Sequence, residues 1–274
     1  MISTRFFASA ALFAALFPVG VARAETMQTC TGFIDAVPAV ITTQGVWCLR
    51  RDLSSNQTSG RVIDIRANNV TIDCNGFKLG GLAAGAYRYA TGIGSENASG
   101  ATVRNCTVRG YQTGIGITGA GTVIEDNLVD QSGAWGVYAW GDGVLVRRNR
   151  IFATGGTVNF ARGIVATGDV VDNIVSGVSA TGKADADATG IFINNVQARV
   201  LRNRVSGIVS PDPAKSFGIN VYWGHSRIEG NHVYNAVPGG VGISGVWTNP
   251  CLHNTVGGYA TPVRGCLDMA TQGS

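Results

Sequence analysis

The sequence predicts an all-β fold, a right-handed parallel β-helix of about eight coils with disulfide-stapled ends, a solenoid of near-22-residue repeats. Three observations lead there. Gly supplies 39 of 274 residues and charged residues 14%, against about 7% and 25% in an average protein. Val and Ile number 50 together while Leu numbers 11, Glu 4 and Lys 3, so strong helix formers are scarce and β-branched strand formers abundant. Two short motifs then recur in fixed order along most of the chain. With 45% hydrophobic residues the chain can fill a core, which excludes a disordered protein, and the missing helix formers exclude a helical bundle.

The first motif is Gly followed by Ile or Val, at Gly92, Gly114, Gly136, Gly163, Gly190, Gly218 and Gly242. The second places Asn in an apolar frame, at Asn75, Asn127, Asn149, Asn173, Asn203, Asn231 and Asn254, with Cys106 in the same slot. Leucine-rich repeats share such a period but need Leu at most core positions and a helical segment per repeat. Gly114-Ile-Gly-Ile-Thr118 and Gly136-Val-Tyr-Ala-Trp140 instead alternate with the period of two that strands require. In a β-helix, coils stack ~4.8 Å apart and equivalent residues form columns. Inward Asn then bonds the backbone at each bend and its stacked neighbours, while Gly before each strand permits an unusual backbone angle or a close approach.

Taken in order, residues 1–24 read as a secretory signal peptide: a charge at Arg5, an apolar run Phe6–Phe17, and the small-x-small site Ala22-Arg23-Ala24. Residues 25–60 are expected as an N-terminal cap region, 61–258 as the β-helix and 259–274 as a C-terminal tail. No further membrane span is present. Removing Arg5 and Arg23 from 21 basic residues leaves 19 against 17 acidic, a near-neutral +2 that gives no reason to propose nucleic acid. All six cysteines follow the cleavage site, and an even count in an exported chain implies disulfides, formed in a periplasm or secreted outside the cell. Of fifteen possible connectivities the sequence favours local pairs near each end, Cys30–Cys48 over an N-terminal cap and Cys251–Cys266 at the tail. Cys74 and Cys106, one residue apart in coil register, are placed to bridge neighbouring coils. A monomer is expected.

The stretches Gly45-Val-Trp-Cys-Leu49, Asn69-Val-Thr-Ile-Asp-Cys-Asn-Gly76 and Thr102-Val-Arg-Asn-Cys-Thr-Val108 resemble right-handed parallel β-helix repeat proteins of the pectate-lyase-like superfamily. The resemblance spans roughly residues 40–258. It implies the fold, and a group that includes pectate and alginate lyases, polygalacturonases, epimerases and proteins of unknown action. The hydrolase motifs Asn-Thr-Asp, Asp-Asp, Gly-His-Gly and Arg-Ile-Lys do not occur, nor does the epimerase Asp-Pro-His. No acidic trio resembles a pectate-lyase calcium site. Fold alone does not assign the activity.

Strand alternation supplies a surface expectation. Outward positions after each Gly motif place Tyr138, Trp140, Phe192, Asn194 and Tyr222, with the adjoining Trp223, on one face, a candidate platform for polysaccharide. Longer coils add loops at 152–162, 177–189 and 206–216, expected to stack as a wall beside that face. They bring Arg162, Lys183, Asp185, Asp187 and Lys215. A lyase acting on an acidic glycan needs a base and a cation for the carboxylate. Lys183 or Arg162 is the candidate base, His225 the other, and Asp185 with Asp187 the candidate pair for calcium. Two function classes stay open: a polysaccharide-active enzyme, foremost a lyase of acidic glycans, and a non-catalytic exported β-helix that binds glycans or serves a cell-surface structural role.

Overall fold

The computed structural model describes residues 29–85, 89–156, 159–195, 197–268 and 272–273; the leader expected over 1–24 lies outside them. The chain winds into a right-handed parallel solenoid of about nine turns with almost no helix. Each full coil visits three faces in a fixed order. One coil runs Thr113–Thr118 on the first face, Val123–Glu125 on the second and Leu128–Asp130 on the third. Trp135–Trp140 then starts the next coil beside Thr113–Thr118, in parallel.

Register converts the sequence motif into columns. Ile93, Ile115, Val137, Ile164, Ile191, Ile219 and Ile243 pair in succession along the first face and are all fully buried. The motif glycines stack beside them, and their reason is close approach. A Cβ on Gly163 would lie 2.6 Å from the carbonyl oxygen of Gly190 one coil above, and Gly190 stands in the same relation to Gly218. None of these motif glycines has a left-handed φ, so conformational freedom is not what the position demands.

The Asn column runs inside the bend between second and third faces. Asn127, Asn149, Asn173, Asn203, Asn231 and Asn254 are buried, and each Oδ1 from Asn149 to Asn254 accepts the backbone N–H and the side-chain amide of the Asn one coil below. The residue preceding each slot turns the chain with a left-handed φ, as at Asp126, Arg148, Asp172 and Arg202. The expected lowest member, Asn75, is instead exposed, because Cys74 takes the inward place and bonds Cys106. Asn127 Oδ1 accepts from the Cys106 backbone N–H, so the disulfide terminates the column from below.

All three expected disulfides are present: Cys30–Cys48, Cys74–Cys106 and Cys251–Cys266. The stretches expected as cap and tail also supply rungs. Gly32–Ile34 and Ala39–Ile41 pair in parallel with Gly45–Leu49 and Arg61–Ile65, and Thr261–Asp268 adds to the last long strand. At the bend after the second face, acids and arginines alternate up the stack: Asp126 pairs with Arg148 at 2.7 Å and Asp172 with Arg202 at 2.7 Å.

Candidate functional site

The first face carries the aromatic side chains. Gly116, Tyr138, Val165, Phe192, Asn220 and Ser244 pair in sequence as one outward column, as alternation predicts. Tyr138 and Trp140 stack with ring centres 6.0 Å apart and planes 8° from parallel, while Phe192 and Tyr222 meet at 6.4 Å. Tyr222 and Trp223 meet edge-on at 5.1 Å and are 60% and 51% exposed, so their faces are open to a partner. The Trp223 indole N–H donates to Asn194 Oδ1 at 2.8 Å, which fixes the ring over the coil below. Burial pushes the Tyr138 phenol above its ordinary pKa, so it is a neutral hydroxyl at neutral pH.

A second outward column lies just before the motif glycines and joins the two ends of this patch. It reads Thr113, Trp135, Arg162, Thr189, Phe217 and Val241. Trp135 sits 5.9 Å from Tyr138 and 5.1 Å from Phe160, and Arg162 lies over Phe160 at 5.5 Å and over Phe192 at 4.3 Å. The result is one strip crossing several coils, from Trp140 through Tyr138, Trp135, Phe160, Arg162 and Phe192 to Tyr222 and Trp223. Trp135 and Phe160 were missed by sequence reasoning. Their signal is the residue immediately before the motif Gly, which points outward like the residues after the motif.

On the last long strand, Val241–Leu252, a further aromatic, Trp247, is 74% exposed. Thr167, expected outward between Trp140 and Asn194, is instead buried. The corner after its strand has two residues where neighbouring coils have four or five, so its hydroxyl turns in, accepting from Gly141 N–H at 2.8 Å and donating to Gly141 O at 2.7 Å. This short corner leaves a notch of about 410 Å³, bordered by Thr167, Asp169, Asn195 and Arg199, at the edge of the strip.

The longer coils differ from the expected picture of three plain loops. Much of their extra length extends the third face: Thr154, Val178 and Ile208 pair as a buried column, after left-handed bends at Ala153, Gly177 and Gly207. The two later loops, 177–189 and 206–216, do meet, since Lys215 Nζ donates to the Asp185 backbone carbonyl at 2.9 Å.

The candidate polar residues are not brought to one point. Arg162 lies in the strip and pairs with Asp187 at 3.4 Å, so Asp187 neutralises a guanidinium. Asp185 and Lys183 are exposed in the adjoining turn, where Ala186 N–H donates to Lys183 O. His225 is exposed at a left-handed φ of 65° past Trp223, its backbone N–H donating to Thr248. Among the described residues, no three His, Cys, Asp or Glu side chains are grouped as a metal site would require. The pairing of Asp187 with Arg162 therefore leaves Asp185 and Asp187 a poor fit to calcium. What the arrangement offers chemically is open ring faces, amide and hydroxyl groups, and one Arg–Asp pair.

A β-solenoid with an exposed aromatic strip along one face is the class of protein that fold and surface define. The sequence matches the family described as "Right handed beta helix region" over residues 91–256, and the chain belongs to that family. Among solved structures it is similar to the Dettilon tailspike protein, with 18% identity and a TM-score of 0.51, over 85% of this chain and 51% of that one. The chain thus spans about half the length of that structure, and the likeness concerns the fold. No curated protein matches the sequence. Among the described residues no helix is long and apolar enough to cross a membrane.

Proposed function

We propose that this protein is an exported β-helix that binds polysaccharide along the aromatic strip. The observation that carries the reading is the outward strip of two ring clusters, Trp140 to Phe160 and Phe192 to Trp223, joined by Arg162 over Phe160 and Phe192. Contiguous exposed apolar surface on a soluble protein marks an interaction site. Aromatic side chains spread along the face, with Asn194 and Asn220 among them, suit an elongated chain of sugar rings, whose C–H faces pack on aromatic carbon and whose hydroxyls bond the amides. Three disulfides support an oxidising location, secreted or periplasmic.

A catalytic version of this reading is a lyase of acidic glycans, favoured by the presence of a guanidinium within the strip. It would use Arg162 or Lys183 as base, with His225 as the other candidate and a cation at Asp185 and Asp187. The placement of these groups supports binding over turnover, because Arg162 and Asp187 engage each other and Lys183 and His225 stand apart in exposed turns. Affinity electrophoresis of the purified protein through gels cast with neutral and acidic polysaccharides tests the reading. Retardation by at least one glycan, lost in Tyr222→Ala, is expected; absorbance of unsaturated products on a polyuronate would establish the lyase version instead.

A further inference from the structure

Resting on that glycan-binding reading, we infer that the Arg162–Asp187 pair makes the strip selective for uncharged glycans, reading sugar hydroxyls and rejecting carboxylate-bearing chains. Arg162 is an unusual cation. A guanidinium has five N–H donors, yet among the described residues this side chain makes one hydrogen bond, to Asp187 Oδ2 at 3.4 Å, and its Nε makes none. It is positioned by rings, Phe192 at 4.3 Å and Phe160 at 5.5 Å, more than by polar partners. Thr189 is its register neighbour one coil above, 1% exposed, with a hydroxyl that also lacks a partner among the described residues. The Nε and the Thr189 hydroxyl are shut off from solvent, so what the free protein offers a sugar in the middle of the strip is the remaining Nη donors of the partly exposed guanidinium.

The charge of this spot decides which sugar it fits. Arg162 and Asp187 cancel, and both side chains are partly exposed, at 26% and 31%. A neutral sugar with adjacent hydroxyls can accept from the guanidinium and donate to the carboxylate at once, and hydrogen bonds to charged groups are the stronger ones. A uronate carboxylate can use only the donor half, and would have to approach Asp187, whose negative charge opposes it. Like charges in a site sheltered by Phe160, Phe192 and Trp135 repel more than in open water. Lys215, which donates to the Asp185 carbonyl, and Arg264, over the Phe217 ring, keep their charges, and the comparison at low and high salt separates their pull on an anion from the effect of the pair.

The test is binding of the whole protein to neutral polysaccharides (dextran, laminarin, galactomannan) and to polyuronates (alginate, polygalacturonate), by affinity electrophoresis at low and high salt. Wild type is expected to be retarded by a neutral glycan with little salt dependence, and at least about tenfold less by either polyuronate. Asp187→Asn, with an unchanged melting temperature, should lose about tenfold on the neutral glycan, the worth of one charged hydrogen bond. Freed of its counter-charge, Arg162 should then give that variant salt-sensitive binding to polyuronate. Wild-type preference for a polyuronate overturns the inference while leaving the glycan reading in place, as does neutral binding unaffected by Asp187→Asn. Retardation by no glycan at all overturns both.

Discussion

Asn149 hangs from Asn173 by two hydrogen bonds: its backbone N–H and its side-chain amide both donate to Asn173 Oδ1, at 2.9 and 3.1 Å. The same amide donates down to the Ile124 carbonyl at 2.8 Å, while Asn149 Oδ1 serves Asn127 in the coil below. One side chain therefore satisfies buried polar groups on three successive coils.

Asn149→Ala should be costly for that reason. It strips acceptors from Asn127 and a donor from Ile124, and each buried group left unpaired costs about 1–3 kcal/mol. A loss of about 3 kcal/mol or more in denaturant unfolding is expected. Asn97→Ala, at an exposed position, should cost less than about 0.5 kcal/mol. Equal shifts in the two variants would contradict the column's role.

Gly163→Ala tests the stacked glycines. The added Cβ would press on the Gly190 carbonyl at 2.6 Å and on the Val175 side chain, neither of which can move without shifting a coil. Overpacking of this kind costs about 1–3 kcal/mol. Ala has better intrinsic strand and helix entropy than Gly, so a neutral or stabilising result would mean that the coils are not pressed together there.

The alternating charges at the bend after the second face predict a pH dependence. Hydrogen bonds from Arg148 hold Asp126 below its ordinary pKa of 3.8, and those from Arg202 do the same for Asp172. Because both folded values are lowered, these pairs add stability above about pH 3.8, and it is lost as the pH falls through the folded values. The double variant Asp126→Asn with Asp172→Asn should melt lower than wild type at neutral pH, and the two curves should converge in strong acid. Parallel curves would show that the pairs contribute nothing, as exposed ion pairs often do.

Much of the fold was legible because β-helix physics repeats itself: one Gly, one Ile or Val and one Asn per coil mark close approach, core and bend. The first outward column, with Tyr138, Phe192 and Asn220, followed from alternation alone. Three things were not legible. Asn75 and Cys74 compete for one inward slot, and only the disulfide geometry decides between them. Thr167 turns inward because its corner is two residues long, a length set by where flanking strands end. The union of Arg162 with Asp187, 25 residues apart, depends on neighbouring coils pairing Phe160 with Asp187, which spacing in loops of unequal length does not reveal.

Hydroxyl-radical footprinting of the protein with and without a bound polysaccharide tests the central claim most directly. The account predicts that oxidation of Tyr138, Trp140, Tyr222 and Trp223 falls together on binding, because the chain lies along the first face. Tyr234, 61% exposed on the third face, should be unaffected. Protection of Tyr234 with the four strip residues unchanged would place the glycan elsewhere on the solenoid and contradict the account.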